Sequence, residues 1–333
     1  MASGVRRITG FVASCAALVI CADGFLTTAR AAVAPPAAMS APVAVIQAEP
    51  IPEGTVIADA PPPQTTAINY PLAEALAYDA PWSWQLLPQG LIWHSYLAGV
   101  KEARMASVFN YQKGLGWLWD PVAGGRVGLL RYGSPNSFRP EGWQLDVEGA
   151  AFPELRLNHD WDMRATDFRV GLPLTYGVGN FQMKFAVYHL SSHIGDEFLL
   201  KNPDFVRLEY SRNALVFGLS YYATPNVRLY GEMDWAFYTN GVTQPWQFQF
   251  GAEYSPVYSP GFRGSPFFAI NGHLRQEVAF GGNVTVQTGW QWLNGNTGTR
   301  LRFGFQYFNG KNEEYQFYND FVQQFGIGIW YDY

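Results

Sequence analysis

Apolar and polar residues alternate with a period of two along most of the chain from about residue 100 onward. In the last segment Phe325, Ile327 and Ile329 share one face, and Gln324 and Gly328 share the other. Successive side chains of a β-strand point to opposite faces, whereas a helix shows a period near 3.6. The pattern therefore predicts a fold built from strands that each have one apolar and one polar face.

Twelve segments carry this pattern and are predicted to be strands. They are 103–112, 125–132, 142–151, 163–172, 181–191, 205–223, 227–238, 246–254, 266–277, 284–293, 299–308 and 324–333. An even number is typical of barrels in the bacterial outer membrane. Two segments leave the count open between ten and fourteen. Residues 92–98 could form another strand, and 205–223 could hold two strands or, as we favour, one strand with a β-bulge near Arg212 and Asn213.

A soluble β-sandwich also alternates, so the pattern alone leaves two architectures open. Three features favour an all-β, antiparallel transmembrane barrel. Charged residues make up only 15% and aromatic residues 17% of the chain, and the aromatic residues stand near segment ends, as in interfacial girdles. The N-terminus has the pattern of an export signal. The final residue, Tyr333, completes an alternating strand, which resembles the C-terminal signal of outer-membrane barrels.

The first 31 residues are predicted to be a signal peptide. Arg6 and Arg7 precede an apolar stretch, and Ala29 and Ala31 form the A-x-A pattern of a cleavage site. An uncleaved membrane anchor and a lipoprotein modification at Cys15 are the alternatives. Residues 32–84 are rich in Ala and Pro, which predicts a disordered periplasmic linker. Residues 85–333 remain for the barrel.

Composition excludes several other classes of protein. The many aromatic residues exclude a wholly disordered chain, and past the leader no apolar run is long enough for a membrane-spanning helix. A net charge of −5 argues against a nucleic-acid partner. We therefore expect a protein of the outer membrane of a Gram-negative bacterium. Its expected partners are membrane lipid or lipopolysaccharide and the barrel assembly machinery, which would read the C-terminal strand.

The direction of the last strand predicts which connections face outside. If residues 324–333 run toward the periplasm, the connections 152–162, 192–204, 239–245, 278–283 and 309–323 are extracellular. The polar faces of the strands carry charges of both signs. They are Arg126, Asp146, Glu148, Asp167, Arg169, Lys184, Arg228, Glu232, Asp234, Glu253, Arg275, Glu277 and Arg302. Because opposite charges can neutralise one another across a narrow lumen, we expect a filled interior.

One stretch, residues 188–197 (YHLSSHIGDE), concentrates reactive side chains. His189 and Ser191 lie two residues apart and therefore point to the same face. Phe185 and Val187 share that face, which places the pair on the lipid side at the outer end of its strand. A polar pair facing lipid costs several kcal/mol unless it is hydrogen-bonded or lies at the interface. This pair is therefore the main candidate for function.

The H-x-S motif on a lipid-facing barrel strand resembles outer-membrane phospholipase A and the lipid A 3-O-deacylase barrel. The resemblance implies that Ser191 is the nucleophile on an acyl ester and that His189 is its base. The sequence departs from those enzymes at Ser192, where they have Asn. Their orienting residue on the next strand is not evident in the stretch that Pro203 and Asp204 occupy.

Strand register supplies a substitute for that orienting residue. If the fourth and fifth strands turn near residues 176–177, paired positions sum to about 353, which places Asp162 across from Ser191 and Arg164 across from His189. Asp162 would then orient His189, and Arg164 would hold a lipid phosphate or an oxyanion. A slip of one residue would move both side chains to the other face.

The end of the same strand carries groups that could bind a cation. His193, Asp196 and Glu197 could bind calcium, together with the Asn-His-Asp sequence at 158–160, because carboxylate and amide oxygens suit this ion. The alternative is that these residues are solvated loop charges at the level of the lipid headgroups.

Three longer segments resemble a bacterial family, domain of unknown function 1207. They are 91–106 (LIWHSYLAGVKEARMA), 188–198 (YHLSSHIGDEF) and 211–232 (SRNALVFGLSYYATPNVRLYGE). The resemblance implies an exported barrel of unassigned activity. Our leading hypothesis is a lipid acyl-ester hydrolase of the phospholipase or lipid A deacylase type. The alternative is a non-enzymatic barrel that acts as a narrow pore, a structural protein or a surface-binding protein.

Overall fold

A computed structural model describes residues 81–257 and 261–333 of the chain. The predicted signal peptide and nearly all of the predicted linker lie outside these residues. The strands are β1 (Ser83–Leu86), β2 (Met105–Gln112), β3 (Gly116–Gly133), β4 (Gly142–Arg156), β5 (Asp162–Val178), β6 (Phe181–Ile194), β7 (Tyr210–Thr224), β8 (Val227–Gly241), β9 (Trp246–Tyr254), β10 (Ser265–Arg275), β11 (Gly282–Leu293), β12 (Arg300–Lys311) and β13 (Phe321–Asp332). In these ranges one short α-helix, α1, spans Asp196–Lys201, and three 3₁₀ turns span Gly261–Arg263, Gln276–Val278 and Tyr315–Phe317. No helix in the described ranges is long and apolar enough to cross a membrane.

Strands β2 to β13 close into a barrel. Each pairs antiparallel with its neighbour in the chain, and β13 pairs with β2. All twelve predicted strands are present, so the prediction of a twelve-stranded antiparallel barrel is confirmed. The segment 205–223 contains one strand, β7, which begins at Tyr210.

β1 and β2 are two parts of one wall strand that an inward turn of the chain interrupts. Both pair with β3, β1 at residues 130–133 and β2 at residues 116–123. Between them, residues 87–104, which we call the inner segment, leave the wall and enter the barrel. Residues 92–98, considered above as a further strand, belong to the inner segment and form no strand.

The outer wall of the barrel is apolar, as the alternation predicts. On β6 the odd-numbered residues Phe181, Phe185 and Val187 are exposed, whereas Lys184 and Ala186 are buried on the inside. Large exposed apolar side chains occur on every strand of the barrel. A surface of this extent is stable when lipid tails cover it, as in membrane-spanning barrels.

The inner wall is charged, and each charge that the sequence predicts to face inward has an ion-pair partner. Lys184 Nζ lies 2.5 Å from Glu232, and Arg302 Nε lies 2.6 Å from Asp332. All the inward charges predicted from the sequence have side chains that are at most 12% exposed. Close pairing is what makes so many buried charges tolerable, because an unpaired buried charge is strongly destabilising.

The inner segment fills the lumen. Its residues 91–99 are all buried, and arginines of the wall bind its main chain. Arg228 donates to His94 O at 3.0 Å, and Arg302 donates to Leu97 O at 3.1 Å. Because the wall donates hydrogen bonds to carbonyls of a segment without regular secondary structure, the main chain of that segment can be buried at a lower cost in free energy.

Glycines in the wall leave room for the inner segment. A Cβ atom added to Gly218 would lie 3.1 Å from the ring of Trp93, and one added to Gly177 would lie 2.8 Å from Ile92. Larger residues at these two positions would have to displace the inner segment. Glycine at these two wall positions therefore makes room for side chains of the inner segment.

The connection between β12 and β13, residues 312–320, also folds into the barrel, and we call it the mouth loop. Its residues 312–317 are buried. Lys101 of the inner segment lies 2.7 Å from both Asp167 and Glu314, so it joins the inner segment to the wall and to the mouth loop. Two cavities beside these contacts measure about 30 and 60 Å³, enough for a few water molecules.

The two ends of the barrel differ in their connections. We call the end that carries the mouth loop and the connection 195–209 the loop end, and the opposite end, with the turns 134–141 and 179–180, the turn end. The sequence analysis predicts that the loop end faces outside the cell. That orientation remains a prediction.

Candidate functional site

Strand β6 carries the candidate residues on its lipid-facing side near the loop end. Its burial alternates strictly, with even-numbered residues inside and odd-numbered residues outside. His189, Ser191 and His193 are therefore half-buried on the outer face. The face predicted for His189 and Ser191 is the one that they occupy.

His189 is hydrogen-bonded to Asn213, which lies directly opposite it on β7. His189 Nδ1 is 2.6 Å from Asn213 Oδ1. Because an amide oxygen only accepts hydrogen bonds, Nδ1 is the donor, and the neutral ring then carries its lone pair on Nε2. Asn213 therefore orients the ring and sets the tautomer that a general base requires.

Asn213 lies farther along the chain than residues 203–204, where the resemblance placed the orienting residue. The connection 195–209 is long and includes α1, so the partner strand begins only at Tyr210. The alternation of β7 does place Asn213 on the outer face with Leu215 and Phe217. Its register against His189 depends on where the pairing of the two strands begins, which alternation does not reveal.

Ser191 Oγ lies 3.3 Å from Nε2 of His193, two residues farther along the same face. The His193 ring also packs edge-on against Phe168 of β5, with ring centroids 5.8 Å apart. The serine therefore has imidazole rings on either side of it along the strand. His189 is the one that a second polar side chain orients.

A β-bulge adjoins Asn213 on the side away from His189. Asn213 pairs with Tyr238 of β8, but Ala214 pairs with Ala236, so Phe237 is an extra residue. Phe237 and Tyr238 consequently both face outward and are about half exposed. The predicted bulge lies at this point, but its extra residue belongs to β8, and such irregularities are common beside active sites.

The predicted roles of Asp162 and Arg164 are not supported, because the register on which they rested is wrong. The β5–β6 hairpin turns at Gly179 and Asn180, so paired residues sum to 359 instead of 353, and Phe168 lies across from Ser191. Asp162 is ion-paired with Lys201 of α1. Arg164 is buried and ion-paired with Glu154, on the opposite side of the wall from the candidate site.

The predicted calcium site is not assembled. Asp196 and Glu197 lie in the first turn of α1, whereas His193 contacts Ser191. Across residues 81–257 and 261–333 no three His, Cys, Asp or Glu side chains form a group that could hold a metal ion.

The mouth loop lies inside the barrel behind the candidate site, and the pKa values of its two adjacent glutamates are shifted in opposite directions. Burial disfavours the charged form of Glu313, but His273, 2.8 Å away, together with Arg275 and Asn283, outweighs this effect and holds the pKa of that carboxyl well below its usual range. At Glu314 burial is the larger effect, and it raises the pKa of that carboxyl although Lys101 is in contact with it.

The fold and the surface together define the class of protein. A closed antiparallel barrel with an apolar outer wall and satisfied backbone hydrogen bonds is a bacterial outer-membrane β-barrel protein. Within this class the chain belongs to the family described as protein of unknown function DUF1207, whose model matches residues 74–333. The family resemblance seen in the sequence is thereby confirmed.

Several solved structures are similar to this chain at low sequence identity. Outer membrane phospholipase A from Escherichia coli is 12% identical, with a TM-score of 0.47 over 70% of this chain and 95% of that chain. The Salmonella typhi outer membrane phospholipase dimer with bound calcium is 12% identical, with a TM-score of 0.47 over 68% and 90% of the two chains. The KdgM porin is 8% identical, with a TM-score of 0.40 over 69% and 98%. No curated protein sequence matches the chain.

Proposed function

We propose that this barrel hydrolyses acyl esters of membrane lipids, with His189, Ser191 and Asn213 as its catalytic residues. The observation that carries the proposal is the 2.6 Å hydrogen bond between His189 Nδ1 and Asn213 Oδ1 on the lipid-facing wall, with Ser191 two residues along on the same face. A nucleophile, a base and an orienting group are the parts that acyl transfer requires.

The geometry supports a double-displacement reaction. Ser191 Oγ attacks the ester carbonyl carbon while its proton passes to His189 Nε2. The tetrahedral intermediate then collapses, the same proton moves to the departing lipid oxygen, and the acyl group remains on Ser191. A water molecule attacks this acyl-enzyme and gives a proton to Nε2. As the second tetrahedral intermediate collapses, that proton passes to Ser191 Oγ, the fatty acid leaves, and the serine and the neutral base are restored.

The position of the residues favours a lipid as the substrate. The three side chains face outward from the barrel, and exposed apolar residues such as Phe168, Val187 and Phe237 surround them. An acyl chain can reach the serine by lateral diffusion in the bilayer without entering the filled lumen. If the loop end faces outside the cell, as predicted, the available esters are those of outer-leaflet lipids, including lipopolysaccharide.

The hydrogen bond between Ser191 and His193 gives the site a second candidate base. A base whose other ring nitrogen is held by a fixed acceptor keeps its tautomer and direction, and His189 has that acceptor in Asn213. We therefore assign the base to His189. His193 holds the hydroxyl in the absence of substrate and releases it when the carbonyl arrives.

Fatty-acid release from phospholipid and from lipopolysaccharide by the refolded barrel tests the proposal. Ser191→Ala should lower kcat at least about 10⁴-fold, and His189→Ala should have a similar effect. Asn213→Ala should cost about tenfold to a hundredfold, because the base loses its orientation but not its proton affinity. His193→Ala should leave kcat within about threefold of the wild type, since it removes only a ground-state contact.

Two controls make the result interpretable. Heat-modifiable electrophoretic migration establishes that each variant has folded into a barrel. Ser211→Ala removes a serine that also lies on the outer face, directly across from Ser191, and should leave activity unchanged. Absence of release by the folded wild type from every lipid would refute the hydrolase, and loss of activity in His193→Ala but not in His189→Ala would reassign the base.

The alternative role as a pore has less support, because the inner segment and the mouth loop occupy the lumen. In a structural or surface-binding protein the His189–Asn213 hydrogen bond would serve only to satisfy two polar side chains on the lipid-facing wall. The barrel assembly machinery remains the partner expected during insertion.

A further inference from the structure

Strand β6 extends beyond its pairing with β7 at the loop end. The β6–β7 ladder ends at the pair of Ser192 and Tyr210, whereas β6 stays paired with β5 as far as Ile194. In the described part of the chain no β7 residue pairs with His193 or Ile194. The strand that carries the proposed nucleophile therefore loses one of its two neighbours after Ser192, the residue that follows the nucleophile.

The side chain of Gln316 closes this gap from inside the barrel. Its Nε2 donates to Ser192 O and to Leu208 O, at 3.0 Å in each case. Its Oε1 accepts from Leu208 N at 3.1 Å. The amide makes the hydrogen bonds that a neighbouring strand would make, and it connects the end of β6 to the segment that precedes β7.

These hydrogen bonds are shielded from water. Gln316 is only 2% exposed. It belongs to the mouth loop, which is far from β6 in the sequence. Hydrogen bonds in a buried, low-dielectric site hold their groups more firmly than exposed ones, since water does not compete for them. The amide can therefore restrain the main chain at Ser192.

Aromatic contacts on either side fix Gln316 itself. Tyr315 stacks on Tyr210 of β7, with ring centroids 4.6 Å apart and planes 2° apart. Phe317 packs against Phe205, with centroids 5.6 Å apart. The mouth loop is thus anchored to the start of β7 and to the 195–209 connection at the residues that flank the amide.

We propose that Gln316 is a positioning residue for Ser191, an inference that rests on the proposed hydrolase. Gln316 holds the main chain at Ser192 in register with the segment before β7. β7 in turn carries Asn213, which orients His189. The main chain beside the nucleophile is therefore held in place relative to Asn213, the residue that orients the base, and the conformation of the mouth loop becomes a determinant of activity on the lipid-facing side.

The test compares Gln316→Met with Gln306→Met. Methionine keeps the length and much of the volume of glutamine but makes none of the three main-chain hydrogen bonds. Gln306 is a matched control, because it is also buried in the lumen and its Oε1 accepts from Gln287 at 2.8 Å, far from β6. Both variants are made in the full chain and checked for barrel formation.

Three readouts separate positioning from simple structural support. They are kcat and KM for fatty-acid release from phospholipid in mixed micelles, hydrogen exchange of the Leu208 amide by mass spectrometry, and the rate at which a fluorophosphonate labels Ser191. Gln316→Met should lower kcat and the labelling rate about tenfold with KM unchanged, since a small misplacement of the nucleophile acts on the transition state. Exchange at Leu208 should accelerate about tenfold, and Gln306→Met should change none of these values.

Each outcome has a distinct meaning. An active wild type whose Gln316→Met variant keeps its kcat and labelling rate refutes the positioning role and leaves the hydrolase intact. An equal fall of kcat in Gln306→Met also refutes it, because any lumen glutamine would then suffice. A folded wild type that releases no fatty acid and is not labelled at Ser191 refutes the hydrolase itself.

Discussion

Acid is expected to destabilise this barrel through His94 of the inner segment. His94 is 6% exposed and lies at the turn end, beside the turns 134–141 and 294–299. Its Nδ1 donates to Tyr333 O at 3.1 Å, which leaves Nε2 unprotonated. Burial, together with the nearby charge of Arg300, lowers the pKa of His94 from 6.5 to about 3.

The size of the effect follows from the difference between the folded and unfolded pKa. In the unfolded chain this histidine becomes protonated below pH about 6.5. In the folded barrel it becomes protonated only below pH about 3. The free energy of unfolding therefore falls as the pH falls through this window, by about 1.4 kcal/mol per pH unit. The loss reaches about 2 kcal/mol at pH 5 and about 4 kcal/mol at pH 3.

Urea unfolding in lipid vesicles between pH 7 and pH 4, followed by tryptophan fluorescence, measures this dependence. His94→Asn is the matched variant, because the asparagine amide can donate to Tyr333 O in place of Nδ1 but does not titrate. Carboxylates contribute equally to both proteins, so the difference between the two curves isolates His94. Parallel curves for the wild type and His94→Asn over the whole range would refute the reasoning.

Three further predictions concern the filled lumen. Gly218→Leu should lower the thermal unfolding midpoint, because its Cβ atom alone would lie 3.1 Å from Trp93. Gly231→Leu is the control, since a Cβ atom there meets nothing within 4 Å. Equal midpoints for the two variants would contradict a close contact between the wall and the inner segment. Arg104→Met should reduce the free energy of unfolding by about 1.5–3 kcal/mol in chemical denaturation, since buried Asp332 loses a charged partner at 2.8 Å and keeps only Arg302, and a loss below about 0.5 kcal/mol would contradict this. Planar-bilayer recordings of the full chain should lack a steady open state, because the inner segment occupies the lumen, and a stable conductance would contradict that.

The strands themselves could be predicted because their signal is local. Each strand must show apolar residues to lipid and polar residues to the lumen, and a period of two records that requirement in the sequence. The outward face of His189 and the inward face of Arg228 follow directly from this period. The same rule places Asn213 on the outer wall, although it does not show which residue of β6 faces it.

The interior contradicted the simplest reading of residues 92–98. Their hydrophobicity suits a strand, but residues 91–99 of the inner segment are buried inside the barrel, so both faces can be apolar without lipid contact. Arginines of distant strands supply the hydrogen bonds that a sheet would otherwise provide, as Arg302 does for Leu97. No local pattern in the sequence marks such a partner.

The candidate site likewise depends partly on local sequence pattern and partly on long-range contacts. The sequence by itself determined that His189 and Ser191 share a lipid-facing surface, because residues two apart on a strand point the same way. Only the tertiary structure decided the partners of that pair. The β5–β6 hairpin turns later than predicted, which displaces Asp162 and Arg164 by six positions in register. The long connection before β7 places Asn213 opposite His189. The hydrogen bond from Gln316 to Ser192 O forms only because the mouth loop, which is far from β6 in the sequence, folds into the barrel. Faces are a local property of the backbone, whereas register and long-range packing are settled only when the barrel closes.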